Sequence, residues 1–238
     1  MLQNIEYMKQ NCYRYLKLPF TADKPQFSKT NYLCYESGIG YLIKKKELSK
    51  HKTVLRFIES IDNITVYFVV YLKTGKNTFM RIHNDMPMLD EKTHGEGTSL
   101  NFNYGDNSSC LQFFDIKDYK DINIKVFDQS IVKPDAEAFT KKEDNLYYND
   151  FLKHTYQSVD ENKCNFICES KYDTQHPTLV NLGRFHRGYN LKGVTDRYVV
   201  QYQLSYKNNV SSDNKIVFKP VAFNDACDLL KDYIIDLT

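Results

Sequence analysis

In MRIHNDMPML, residues 80–89, a histidine and a carboxylate stand two positions apart, His83 and Asp85, just past a run of apolar and β-branched residues. Imidazole nitrogen and carboxylate oxygen are both ligands for divalent transition metals. Where a strand ends and a loop with Pro87 begins, both side chains can turn toward one pocket mouth, with Asn84 between them a bystander that points away. The spacing is loose on its own, because an Asp-rich chain with 6 histidines matches it easily, and a polar strand end would spell the same letters. A third candidate ligand, His186, stands much later in PTLVNLGRFHRGYN. Arg197 follows it and opens the segment DRYVVQYQ. In an otherwise apolar pocket a guanidinium holds a carboxylate through two parallel hydrogen bonds, which lysine does less well.

These residues need strands to position them, and the sequence supplies strand signals around each. ITVYFVVYLK (64–73), a turn at Thr74-Gly75-Lys76-Asn77 and TFMRIH (78–83) predict a β-hairpin that ends on His83. TSLNFNYG (98–105), CLQFFDI (110–116) and INIKVFD (122–128) predict three more strands, and PTLVNL (177–182), FHRGYN (185–190) and DRYVVQYQLSY (196–206) another three. Between the two groups lies a charged interval from about 133 to 173, read as an insertion with helix around 147–156 and as a lid or partner surface. Residues 2–16 and the stretch from Lys44 to Ser60 predict helices, the basic Lys44–Lys46 start being a solvated face. The C-terminal FNDACDLLKDYIIDL carries an apolar stripe of Ala226, Leu229, Leu230, Tyr233, Ile234 and Leu237, with Asn224 or Asp225 as its cap. Many short strands with helices near both ends predict a mainly β chain, a sandwich or jelly roll backed by N- and C-terminal helices, in one domain over 1–238 with its core at about 64–206.

The composition narrows the function classes. Lys and Arg number 32 against 30 Asp and Glu, a formal charge of +2, so no global field draws the chain to nucleic acid or to an acidic membrane. The 19 tyrosines and 15 phenylalanines, with no tryptophan, suit half-buried pleated surfaces. Six scattered cysteines, no apolar N-terminal segment and no run long enough to span a bilayer predict an intracellular, cytoplasmic chain with reduced thiols. Cys164 and Cys168, with His154 and His176 near them, have imperfect spacing for structural zinc.

The ordered set His83, Asp85, His186 and Arg197 resembles that of the Fe(II)- and 2-oxoglutarate-dependent dioxygenases, most of all small oxygenase-like proteins common in bacteriophage and environmental sequences. The pieces that carry the resemblance are HND at 83–85, SLNFNYGDNSSCLQFF at 99–114 and VNLGRFHRGYNLKGVTDRYVVQY at 180–202. The resemblance implies a double-stranded β-helix, or jelly roll, holding Fe(II) by His83, Asp85 and His186. It implies 2-oxoglutarate as cosubstrate, its distal carboxylate on Arg197 and Asn101 as a polar contact. It also implies dioxygen and an unidentified substrate as the other partners. The implied activity couples decarboxylation of 2-oxoglutarate, to succinate and carbon dioxide, to hydroxylation of that substrate. Tyr71 and Tyr202 are further candidates for inward-facing positions. Relatives carry Ser or Thr two residues after the arginine, where this chain has Val199. His94, in the loop after Asp85, is assigned to a lid or to solvent. A competing expectation is a catalytically silent jelly roll, a structural or interaction protein such as a virus particle uses; convergence of the three candidate ligands on one point disfavours it, and splayed or plugged ligands favour it. A nucleic-acid-binding β-barrel fits the near-neutral charge less well.

Overall fold

The computed structural model describes residues 8–22, 24, 33–35, 38–42, 49–86, 95–105, 108–126, 155–207 and 219–237. In chain order the strands are β1 (Tyr13–Leu16), β2 (Leu33–Tyr35), β3 (Gly38–Leu42), β4 (Ile64–Thr74), β5 (Thr78–Phe79), β6 (Ile82–Asn84), β7 (Thr98–Tyr104), β8 (Cys110–Ile116), β9 (Asn123–Val126), β10 (Thr155–Val159), β11 (Cys164–Lys171), β12 (Thr178–Asn181), β13 (Phe185–Asn190), β14 (Arg197–Tyr206) and β15 (Ile234–Ile235). Helix α1 (Lys52–Ser60) precedes β4, and helix α2 (Phe223–Leu229) precedes β15.

The strands form two antiparallel sheets, ordered β15-β1-β12-β7-β14-β4-β3-β2 and β11-β8-β13-β6-β10-β9. Four nested antiparallel pairs define the connectivity: β4 with β14, β6 with β13, β7 with β12 and β8 with β11. First pairs with last, second with second-last and so inward, which is a two-stranded ribbon wrapped on itself. The fold is a mainly β double-stranded β-helix, or jelly roll. β1 and β15, β3 and β2, and β10 and β9 extend it at the edges.

Alternation along the strands separates three apolar layers. Leu100, Phe102, Val200, Tyr202 and Leu204 face away from the second sheet and bury Val54 and Ile58 of α1 and Phe223 and Ala226 of α2. Between the sheets lie Tyr13, Tyr15, Leu111, Phe113, Cys168, Val180 and Val199. Ile82, Phe114, Val159, Cys164 and Phe185 cover the far side of the second sheet. Residues next to those of one layer therefore face the other, which fixes the interior positions: Ser99, Asn101 and Asn103 on β7; Arg197, Gln201 and Gln203 on β14; His83 on β6; His186 and Gly188 on β13.

Several expectations are corrected. Within the helix predicted over 2–16, residues 8–10 are helical but Tyr13–Leu16 is a strand, because the alternation of Tyr13 and Tyr15 pairs it with β12 and β15. The hairpin predicted at 64–83 does not form. The turn instead carries the chain from the first sheet to the second, where β5 and β6 both pair with β13. The interval 133–173 is not purely an insertion: it supplies β10, beside β6, and β11, one of the eight wrapped strands. Its alternation is hidden by charge, since exposed Asn165, Glu169 and Lys171 interleave with buried Cys168 and Ser170. Thr155 and Tyr156 are strand rather than helix, and the rest of the helix expected at 147–156 lies outside the described residues. At the C-terminus α2 is capped by Ala222 without a side-chain bond, and the expected long stripe breaks into a 3-10 turn at Lys231–Tyr233 and β15. The basic run Lys44–Lys46, His94 and His154 fall outside the described residues. No helix of the described residues is long and apolar enough to cross a membrane.

Candidate metal centre

β6 and β13 are hydrogen-bonded neighbours in which His83 stands directly opposite His186. Both rings point into the space between the sheets, 4.6 Å apart by their centroids, and Phe113, opposite His186 on β8, closes one side. Asp85, one residue past β6, turns its carboxylate to them. Its Oδ1 lies 3.5 Å from Nε2 of His83 and its Oδ2 3.5 Å from Nε2 of His186. The three ligand atoms all lie within 4.8 Å of one another, and among the described residues no other group of His, Cys, Asp and Glu is arranged to hold a metal.

The backbone fixes which nitrogen is presented. Nδ1 of His83 meets the Arg81 carbonyl at 2.8 Å and Nδ1 of His186 meets the Arg184 carbonyl at 2.8 Å. A carbonyl only accepts, so both Nδ1 atoms carry hydrogen and each neutral ring presents an Nε2 lone pair to the carboxylate. A backbone carbonyl behind each imidazole is the usual support of a metal-bound histidine. Two lone pairs and a carboxylate facing one point repel unless a cation or a proton lies among them. Burial, then the neighbouring His186, pushes the His83 pKa down to about 4. For His186 burial acts downward too but is outweighed by the hydrogen bond and charge of Asp85, so its pKa rises above the ordinary value. Asp85 thus favours a proton on His186, while burial and His186 keep His83 neutral at neutral pH.

Arg197 lies deeper in the same interior. Its side chain is buried, Nη1 donates to Thr74 Oγ1 at 3.0 Å, and the guanidinium carbon lies 4.1 Å from the centre of the Tyr172 ring. Nε has no hydrogen-bond partner, and among the described residues no carboxylate pairs with the cation. Burial lowers its pKa to about 9, which leaves it charged at neutral pH. Gly188 makes the room: a Cβ there would lie 2.1 Å from Nη1. Gly188 is two residues beyond His186 on one strand face, so the guanidinium sits roughly 7 Å further along the interior than the histidine pair.

The wall opposite the histidines is polar. Asn101 pairs with Gln201 across β7 and β14, and both are buried on the interior face. Asn101 Oδ1, Asn103 Oδ1 and Ser99 Oγ have no hydrogen-bond partner. Ser158, opposite His83 on β10, likewise has a buried hydroxyl without a partner. So many unpaired buried polar atoms facing one interior from both sheets are what a ligand-binding interior presents.

The structure thus brings His83, Asp85, His186, Arg197 and Asn101 into one interior. It excludes two other candidates: Tyr71 and Tyr202 face the helix side, where their hydroxyls lie 2.8 and 2.7 Å from the two ring nitrogens of the buried His51. Strand parity decides this and was not readable before the strands were paired. Cys164 and Cys168 do not form a zinc pair. A bulge between Phe166 and Cys168 puts them in different apolar layers, and His176 is held by Asp173 at 2.7 Å. Sequence reasoning missed Thr74, Tyr172, Gly188 and Ser158. Of these only Gly188, a glycine within a strand two residues after a candidate ligand, carried a signal of close approach.

No protein-family model matches the chain, and no curated protein matches it. Among solved structures it is similar to HygX from Streptomyces hygroscopicus with nickel and 2-oxoglutarate bound, at 10% identity and TM-score 0.42, over 93% of this chain and 96% of that one. It is also similar to the non-heme alpha ketoglutarate dependent carbocyclase SnoK from nogalamycin biosynthesis, at 8% identity and TM-score 0.44, over 93% of each chain. Likeness at this level assigns no chemistry to the chain, whose own side chains must carry it.

Proposed function

We propose that this chain is an Fe(II)- and 2-oxoglutarate-dependent dioxygenase that hydroxylates its substrate, acting as one domain whose core spans about 64–206. The observation that carries the reading is the pairing of two features in one interior: two imidazoles and one carboxylate converging on a point, and, about 7 Å deeper, a buried guanidinium whose Nε is unpaired and which has no carboxylate partner among the described residues. Two histidines and a carboxylate leave one face of an octahedral ion open, the arrangement typical of non-haem Fe(II) oxygenases. A five-carbon keto diacid has the length to reach from such an ion to Arg197. Convergence of the three candidate ligands disfavours the competing silent jelly roll.

When bound, Fe(II) and 2-oxoglutarate supply oxidative decarboxylation coupled to oxidation of a substrate C–H bond. The chain's own groups do the rest. The Arg81 and Arg184 carbonyls orient His83 and His186, and Asp85 offsets the charge of the ion. Arg197 anchors the distal carboxylate, Asn101 offers a polar contact to the cosubstrate, and Phe113, Leu111 and Val199 keep water from the walls.

The test is succinate formation from 2-oxoglutarate with Fe(II) and air, alongside melting curves. Fe(II) and 2-oxoglutarate together should raise the melting temperature, and His83→Ala should abolish succinate. Absence of both metal binding and 2-oxoglutarate consumption by the unaltered protein would overturn the reading.

Metal binding should also depend on pH in a defined direction. The apo protein gains stability from the protonated His186–Asp85 pair below the ordinary histidine pKa of about 6.5, and loses it as pH rises through the raised folded value. A metal must displace that proton, so the rise in melting temperature on adding saturating Mn(II) should grow from about pH 6 to pH 8. Melting curves with and without Mn(II) across this range check it; an increment independent of pH would contradict it.

A further inference from the structure

β11 edges the second sheet, and β1 lies at the matching end of the first, covered only by the short β15. Two buried phenols bridge these strands. Tyr13 Oη donates to the Glu169 carbonyl at 3.0 Å and Tyr15 Oη to the Lys171 carbonyl at 2.8 Å, each across a separation of 156 positions. The same separation relates Cys12 to Cys168, one residue earlier on each side. Both are free thiols, hydrogen-bonded to each other within the apolar layer between the sheets. Cys12 Sγ also donates to the Met8 carbonyl at 3.3 Å, and the Cys12 carbonyl accepts from the Asn181 amide at 2.9 Å. Cys164 lies in the far layer and Cys227 on the helix side. A disulfide demands close, correctly aimed sulfurs, and here the flanking phenol bonds already set the spacing of the two sheets.

We propose that Cys12 and Cys168 are a redox-active pair that a peroxide oxidises to an inter-sheet disulfide, locking the β1–β11 seam. Hydrogen peroxide meets Cys168 first, since this residue is 8% exposed against 1% for Cys12. The Cys168 thiolate attacks one peroxide oxygen, the O–O bond breaks, and a sulfenic acid and one water result. The Cys12 sulfur then attacks that sulfur and the S–S bond forms. The sulfenic oxygen leaves with the Cys12 proton as a second water. Two thiols thereby lose two electrons and two protons, and one peroxide becomes two waters. The hydrogen bond to Cys168, and then burial, push the Cys12 thiol well above its ordinary range. The pair therefore reacts slowly at neutral pH, as a staple set by prolonged oxidation rather than a fast sensor. The lock reaches beyond the seam. Asn181, bonded to Cys12, also accepts from the Arg184 amide at 3.3 Å, which ties the cysteine to the turn whose carbonyl supports His186.

The experiment exposes the full chain, reduced and held in a chelator, to hydrogen peroxide under native conditions, then denatures it in iodoacetamide and digests it. Mass spectrometry should find a peptide linked through Cys12 and Cys168, with the other thiols alkylated. The oxidised protein should melt several degrees above the reduced one, because the link closes a long loop in the unfolded chain. Dithiothreitol should reverse both changes. Cys12→Ser should give neither the linked peptide nor the rise in melting temperature, whereas Cys164→Ser should give both. If Cys12→Ser does not fold, the peptide map and melting curves of the parent decide alone. Cys12 and Cys168 both recovered alkylated after prolonged exposure, or either one paired with a different cysteine, would overturn the proposal. A linked form that melts no higher than the reduced protein would overturn it as well.

Discussion

Asp85→Ala is expected to abolish turnover and to lower metal affinity by well over a hundredfold while leaving the fold intact. The carboxylate is the one anionic ligand of the three, and removing even a supporting partner of a ligand typically costs ten- to a hundredfold. Its side chain is about one-third exposed and lies past the end of β6, so no apolar layer depends on it. The loss also changes the two histidines. Without the acid only the hydrogen bond to the Arg184 carbonyl opposes the burial of His186, so its pKa should fall. Histidine NMR titrations should then show both rings neutral at pH 7. Circular dichroism and melting curves on the apo variant report the fold, and Mn(II) titration the affinity. Retained metal binding at near parental strength would remove Asp85 from the site.

Arg197→Met is expected to act in opposite directions on stability and on binding. Methionine keeps an apolar stem of similar reach and removes a cation that is buried and paired with no carboxylate among the described residues. An uncompensated buried charge destabilises a fold, so the apo variant should melt at the same temperature or higher. Affinity for 2-oxoglutarate should drop by about 2–5 kcal/mol, roughly thirtyfold to several-thousandfold, the usual effect of removing one partner from a buried charged pair. Arg197→Lys should fall between, since an ammonium keeps the charge but not the two-pronged geometry. Parallel melts and titrations of the three proteins separate these effects. A destabilised apo Arg197→Met with normal 2-oxoglutarate binding would mean that the guanidinium serves packing alone.

The legible part of this site was the part that local chemistry writes into a short stretch. His83 and Asp85 are neighbours in sequence, and His186 and Arg197 flank strand signals strong enough to read. What was illegible depends on pairing. Tyr71 and Tyr202 look as inward as Asn101 until β4, β7 and β14 are laid side by side, and then one step of parity sends them to the helix side. Tyr172 was hidden for another reason: it stands in a charged interval whose alternation is masked by Glu169 and Lys171. Asn84, expected as a bystander pointing away, shares the outward parity of Ile82 but is also a structural clamp. It is fully buried, donates to the Gly183 carbonyl and accepts from the Met86 amide, and so shapes the turn that carries Asp85.

The nested pairing of the ribbon has a kinetic consequence. β6 and β13 lie far apart in sequence, so pairing His83 with His186 closes a long loop. Long-range closures of this kind are slow, because the entropy of the loop must be lost before the contacts form. An unfolded chain still keeps His83 and Asp85 together, and offers a metal two ligands at most from this cluster. The third arrives only when β13 pairs with β6, so an ion bound by all three acts as a latch on that seam. Dissociation of that ion and opening of the β6–β13 seam then become linked events.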